Sequence, residues 1–134
     1  MKTTATSILA SLITMLLIDG VWLTTMSKRF YSTQISHLMA SQPSLLPAII
    51  FYIIYAVALG LIIVMPAAND SQPYTKVFLL GLLFGLAAYG TYDLTNQATL
   101  KNWPTIVTIV DLAWGGLLTG TVAVIATYIT KYFS

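Results

Sequence analysis

Four long apolar stretches dominate the sequence and constrain its fold more than any other feature. They cover residues 4–26, 44–66, 74–97 and 104–130. A helix rises ~1.5 Å per residue, so about 20 residues cross a hydrocarbon core that is ~30 Å thick. Because lipid offers the backbone no hydrogen-bond partners, apolar runs of this length satisfy their amides only as helices. We therefore predict an all-α fold, a four-helix transmembrane bundle.

The scarcity of charge points to the same class. Of the 134 residues, 57% are hydrophobic and 7% charged, whereas soluble domains carry about 25% charged residues. A surface with so few charges must lie in the lipid bilayer, which excludes a soluble enzyme and a nucleic-acid partner. The connections at 27–43, 66–73 and 98–103 are too short to fold separately. We expect a single integral membrane domain over residues 1–134 with multi-pass topology.

The basic residues leave the orientation of this domain open. With four spans both termini share one side of the membrane. Lys2, Lys76 and Lys131 then lie on that side, and Lys28, Arg29 and Lys101 lie on the other. The usual excess of positive charge in cytoplasmic loops is therefore missing. Either one orientation is chosen in spite of this balance, or the chain inserts both ways, which would permit an antiparallel homodimer.

Two glycine patterns indicate where helices approach each other closely. Gly81 and Gly85 are four residues apart in the third span, as are Gly116 and Gly120 in the fourth. Such small-xxx-small patterns let helix backbones come into contact where lipid gives no hydrophobic drive for association. The third and fourth spans should pack tightly through these faces, either within one chain or between the two chains of a homodimer.

Three of the four aspartates lie inside apolar spans, where a charge costs several kcal/mol. Asp19 and Asp111 each lie ~10 Å from the membrane face opposite the termini, and Asp93 lies within one or two turns of that face. Three carboxyl groups at one depth favour a common polar pocket. The alternative is that each forms a structural hydrogen bond to a neighbouring helix.

The neighbours of these aspartates at helical spacing extend the candidate site. Asp19 shares a face with Trp22, and Asp111 with Trp114, in two copies of the pattern Asp-x-x-Trp. Asp93 shares a face with Tyr89 and Asn96. The candidate substrate- or ion-binding residues are therefore Asp19, Trp22, Tyr89, Asp93, Asn96, Asp111 and Trp114.

Other polar and aromatic residues in the spans receive separate interpretations. The polar segment at 89–104 lies where the membrane should still be apolar. Thr95, Asn96, Gln97 and Thr99 are therefore expected to face a wet, protein-lined cavity. Tyr52 and Tyr55 in the second span are interpreted as packing or interfacial belt residues.

The aspartates limit the chemistry of this pocket. The only Lys, Arg or His within the predicted spans is Lys76, at the terminal-side end of the third span and away from the aspartates, so at least one carboxyl should hold a proton, or a bound cation should neutralise the group. We expect a site for a small cation, a proton-coupled solute or a lipid-like molecule. The alternative is a lipid-modifying enzyme, with a headgroup or isoprenoid against Trp22, Tyr89, Trp103 and Trp114 and an aspartate as acid or base. Without cysteine or a nearby imidazole, we expect no metal site and no cofactor.

Three segments of the chain also carry a resemblance to a known family. They are Leu-Ile-Asp-Gly-Val-Trp-Leu at 17–23, Tyr-Asp-Leu-Thr-Asn-x-Ala-Thr-Leu at 92–100, and Val-Asp-Leu-Ala-Trp-Gly at 110–115. Together they resemble the DUF2177 family of bacterial predicted membrane proteins, over essentially the whole chain. The resemblance implies a small bacterial inner-membrane protein of four spans. It also implies a neighbourhood of genes for membrane-lipid modification, such as cyclopropane-synthase-like enzymes, and so a role connected with lipids. An accessory subunit of a lipid-modification system and a structural partner of another membrane protein are further alternatives.

Overall fold

The computed structural model describes residues 2–134 and is helical throughout apart from its connections and turns. Its four long helices are apolar enough to cross a membrane. They are α1 (Lys2–Gln34), α2 (Leu45–Asn69), α3 (Tyr74–Thr99) and α4 (Thr105–Phe133). The predicted fold class, an all-α bundle of four membrane-type helices, is confirmed.

The helices run alternately up and down. Thr4 near the start of α1 contacts Met65 near the end of α2, and Asp19 contacts Tyr52 near the start of α2. In the second pair, Gly81 of α3 lies against Gly120 of α4, and Gly85 lies against Gly115. Each pair is therefore antiparallel, and both termini lie at the same end of the bundle.

The glycines of α3 and α4 bring the backbones of these two helices into close contact. A Cβ at Gly81 would lie 2.7 Å from the Thr119 carbonyl oxygen, and one at Gly85 would overlap the carbonyl of Gly115. Only hydrogen fits at these positions. The glycine faces lie against each other within one chain, so a homodimer stays a prediction and would have to use another surface.

The first helix extends further than the sequence predicts. Residues 27–43 are expected to form a connection, but the helix continues through a π-helical turn at Ser27–Tyr31 and ends at Gln34. A π turn holds one residue more than an α turn, so it rotates everything beyond it around the helix axis. The interpretation of 27–34 as loop is wrong, and this extension packs at the end of the bundle opposite the termini.

A second π turn, at Gly60–Val64, interrupts α2 just before Pro66. Proline has no N–H for the carbonyl four residues earlier and its ring crowds that carbonyl, so the helix widens to accommodate it. Gly60 within this turn lies against the backbone of Ile8, where a Cβ would be 3.0 Å from the Ile8 Cα. The turn therefore coincides with close packing of α1 on α2.

The half of the bundle near the termini is closed by small side chains. Ser7, Ser11, Thr127 and Thr130 are fully buried between helices. Each hydroxyl donates to the carbonyl oxygen four residues earlier, at 2.7 Å. This back-bonding satisfies the hydroxyls without a partner on another helix. Small buried side chains of this kind let the helices pack closely at this end of the bundle.

Candidate functional site

A cavity of about 540 Å³ opens between the helices at the end opposite the termini. Eight of its fifteen lining residues are aromatic, two are aspartates, and none is Lys, Arg or His. We call it the aromatic cavity. Its lining residues are Asp19, Trp22, Leu23, Ser27, Tyr31, Ile35, Met39, Phe51, Tyr52, Ala88, Tyr89, Tyr92, Trp103, Asp111 and Trp114.

Asp19 is held in the wall by two donors from different helices. Its side chain is 5% exposed. The Tyr52 hydroxyl on α2 donates to Oδ2 at 2.5 Å, and the Trp114 indole Nε1 on α4 donates to Oδ1 at 3.0 Å. Hydrogen bonds of this kind orient a carboxylate and compensate part of its lost hydration. The Asp19 group is thus fixed between α1, α2 and α4.

Asp111 is held by the extension of α1. The Tyr31 hydroxyl donates to Asp111 Oδ1, and the Trp22 indole Nε1 donates to the Tyr31 hydroxyl at 3.2 Å. In a regular α-helix Tyr31 would lie about 120° around the axis from Asp19. The extra residue of the π turn reduces this angle to about 20°. The turn therefore brings Tyr31 onto the face of α1 that lines the cavity.

The two Asp-x-x-Trp patterns interlock across the cavity. The rings of Trp22 and Trp114 stack, with their centroids 4.1 Å apart and their planes 7° from parallel. Trp114 donates directly to Asp19, whereas Trp22 reaches Asp111 through Tyr31. Each tryptophan therefore supports the aspartate of the other pattern.

On the outer side of the same pair runs an apolar groove, lined also by Leu17, Ile18, Val21, Thr25 and Met26.

The connection between α3 and α4 supplies the rest of the wall. Trp103 is 8% exposed and donates from its indole Nε1 to the Thr108 hydroxyl at 3.1 Å. The Tyr92 ring meets it edge-on, with centroids 5.9 Å apart. Asn102 just before it has φ 62°, a left-handed conformation that asparagine tolerates. This sharp turn folds Trp103 back over the cavity.

Asp93 lies behind this wall and is not part of it. It is 0% exposed, and within the described residues its Oδ1 and Oδ2 are the only buried side-chain oxygen or nitrogen atoms without a hydrogen-bond partner. The carboxyl of Asp111 on α4 lies beside it. Two ionised carboxylates both only accept hydrogen bonds. Asp93 and Asp111 can therefore form a hydrogen bond with each other only if one of the two carries a proton.

The structure brings five of the seven candidate residues together on one surface. These are Asp19, Trp22, Tyr89, Asp111 and Trp114. Asp93 is buried next to Asp111, and Asn96 is half-buried outside the cavity. Within residues 2–134 no group of three or more acidic or imidazole side chains is placed to hold a metal ion. The three carboxyl groups therefore do not converge on a single point.

The interpretation of Tyr52 and Tyr55 as packing or belt residues is wrong for Tyr52 and incomplete for Tyr55. Tyr52 binds Asp19, and the buried Tyr55 hydroxyl pairs with that of Thr119 at 2.7 Å. Tyr31, Phe51 and Tyr92 also line the cavity without having been identified from the sequence. Tyr52 could have been identified from its position, because it lies on the neighbouring span at the same membrane depth as Asp19.

The expectation that the polar segment of α3 faces a wet cavity is also wrong. Thr95 and Thr99 are exposed on the outside of the bundle and donate back to the carbonyl oxygens of Thr91 and Thr95. Gln97 Nε2 donates to the Thr105 hydroxyl at 3.0 Å. Because these groups are satisfied locally, they need no polar cavity.

The Tyr52 hydrogen bond allows a first test of this geometry. Tyr52→Phe should lower the free energy of unfolding by about 1.5–3 kcal/mol, because it removes one donor from a buried carboxylate. Tyr128→Phe is the matched control, since Tyr128 is exposed and away from the site. Melting of both variants in detergent measures the difference. Equal melting temperatures would show that Tyr52 does not support Asp19.

Comparison with known proteins gives a family and no named relative. The family described as "Predicted membrane protein (DUF2177)" matches residues 4–128. No curated protein and no solved structure matches the chain. The match covers nearly all of the four helices described above. The chain belongs to the DUF2177 family of predicted membrane proteins.

Proposed function

We propose that this protein binds a hydrophobic organic cation in the aromatic cavity, as a binding or transport protein of the bacterial inner membrane. The observation that carries the proposal is the composition of the wall. Two hydrogen-bonded aspartates lie among eight aromatic side chains with no basic residue. Substrates of this class include amines with apolar bodies and lipid-like molecules with a cationic headgroup.

The charge of the cavity favours a cationic ligand. Asp19 and Asp111 are each nearly buried, and both accept hydrogen bonds from neutral donors only. A carboxylate in an environment of low dielectric needs a countercharge, and no lining residue offers one. A bound cation supplies that countercharge from outside the protein.

The aromatic rings favour an organic cation over a metal ion. Ammonium-type cations are attracted to the faces of tryptophan and tyrosine rings, most strongly where water is excluded. Hard metal ions instead require six or more oxygen ligands, whereas here the Asp19 oxygens are occupied by Tyr52 and Trp114. The volume of about 540 Å³ is within the range of small-molecule pockets.

The surroundings of the cavity favour a ligand that reaches it from the bilayer. Leu23, Ile35 and Met39 add aliphatic surface to the wall. The stacked pair Trp22 and Trp114 separates the cavity from the apolar groove on the outside of α1. An amphiphilic cation from the bilayer would place its apolar part against the aliphatic and aromatic wall of the cavity and its charge towards Asp19.

Binding can be measured through the protein's own fluorescence. The chain has 3 tryptophans, and all of them line the aromatic cavity. Tetraphenylphosphonium and tetraphenylborate have the same shape and opposite charge, so they form a matched pair of probes. Purified protein in a neutral detergent should show saturable quenching by the phosphonium cation and none by the borate anion.

A variant and a control localise the effect. Asp19→Asn should weaken phosphonium binding at least about tenfold, because it removes one charge from the cavity wall. Asp70→Asn changes the exposed aspartate in the connection between α2 and α3 and should bind like the unmodified protein. Equal responses to the cation and the anion, or an unchanged affinity in Asp19→Asn, would contradict the proposed function.

A further inference from the structure

The buried carboxyl of Asp93 lies outside the cavity wall and has no hydrogen-bond partner. It lies on α3 one turn beyond Tyr89, whose ring packs on Gly115 of α4. The side chain is 0% exposed, and no donor is within reach of either oxygen. Neither oxygen receives a hydrogen bond from a side chain of its own helix.

The groups around Asp93 can be named helix by helix. Asp111 lies beside it on α4, the Tyr31 hydroxyl of α1 is hydrogen-bonded to that same Asp111, and Tyr92 adjoins it in the sequence. Helix α2 has no charged side chain. Asp93 is therefore surrounded by one carboxyl group and two neutral phenols, with no cation among them.

Two ionised carboxylates in such a position repel each other strongly. One proton removes the repulsion, because a protonated Asp93 becomes a donor and Asp111 is the acceptor beside it. The same proton would satisfy the Asp93 carboxyl, which otherwise has no partner. Of this pair, Asp111 lines the aromatic cavity and Asp93 does not. A proton that leaves Asp93 passes Asp111 to reach the cavity.

We propose that Asp93 and Asp111 share one proton while the aromatic cavity is empty, and that a bound organic cation displaces it. This inference rests on the proposed function. One proton leaves the Asp93 carboxyl for water by way of Asp111 and the cavity, and one positive charge enters with the ligand. The net charge of the site stays the same in both states. The protein thereby couples cation binding to proton release.

The direction of the pH effect follows from this exchange. Protons and ligand compete, so cation binding weakens as the pH falls. With one proton released per cation, affinity falls about tenfold for each unit of pH over the range where the pair is protonated. A site without coupling would bind equally well across that range.

Proton release and affinity can both be measured with tetraphenylphosphonium. In a weakly buffered solution with a pH indicator, the unmodified protein should release one proton for each cation bound. In Asp93→Asn the amide N–H donates to Asp111 permanently, so the cation should bind without proton release and with an affinity independent of pH. Asp70→Asn is the control and should behave like the unmodified protein.

The outcomes separate this inference from the proposed function. Absence of saturable phosphonium binding in the unmodified protein would overturn the function and the inference together. Binding without proton release, and with no dependence on pH, would overturn the inference alone. Proton release that persists in Asp93→Asn would show that Asp93 does not hold the proton, and would also overturn it. The measurement on the unmodified protein stands even where the variant fails to fold.

Discussion

Gly85→Ala should destabilise the bundle by about 3 kcal/mol or more, because the added methyl group meets the backbone of α4. Its Cβ would overlap the carbonyl of Gly115 and lie 2.8 Å from the Thr119 hydroxyl oxygen. A side chain could rotate away from such a contact, but a helix backbone cannot. Overpacking of a close contact costs about 1–3 kcal/mol, and contacts with backbone are at the upper end or beyond. Detergent melting curves measure the loss.

Gly20→Ala is the matched control for this experiment. It introduces the same methyl group in the middle of a helix, where no atom outside the adjoining helix backbone lies within 4 Å. Alanine also has a better helix propensity than glycine by about 1 kcal/mol. The control should therefore melt at or above the temperature of the unmodified protein. A Gly85→Ala protein as stable as the control would contradict the close packing of α3 on α4.

The length and polarity of the spans were sufficient to predict the fold. Apolar runs that match the membrane thickness leave the helix as the only way to satisfy the backbone, so the class follows from the sequence alone. The contact of α3 with α4 could be predicted too. Glycine has no side chain to pack, so Gly81 and Gly85 favour association only where they let two helix backbones come into contact. What the pattern left open was whether the contact lies within one chain.

The candidate site was predictable only where helix spacing and depth decide the geometry. Asp19 with Trp22, and Asp111 with Trp114, follow from an i to i+3 relation that holds in any helix. Tyr31 is the last residue of a π turn that has no signature in residues 27–31, and without that turn it would face elsewhere. Tyr52 lies on a helix that is apolar on all sides, so nothing in its sequence fixes which face meets Asp19.

Removal of both cavity carboxylates should abolish the preference for cations. The double variant Asp19→Asn with Asp111→Asn leaves the eight aromatic rings in place and takes away both negative charges. The single Asn oxygen at position 19 keeps the bond from Tyr52 and loses the one from Trp114, and the Asn oxygen at position 111 keeps the bond from Tyr31. The fold should therefore be kept, and the loss of buried charge is neutral or stabilising for the bundle.

Binding of tetraphenylphosphonium to this double variant should weaken by about a hundredfold or more, since each lost carboxylate contributes about tenfold. Tetraphenylborate should then bind no worse than the cation. The corresponding double change to Leu provides the contrast, because it leaves the Tyr52, Tyr31 and Trp114 donors unsatisfied and should lower the melting temperature. A folded Asn double variant that still prefers the cation would show that Asp19 and Asp111 do not provide the charge recognised by the cavity.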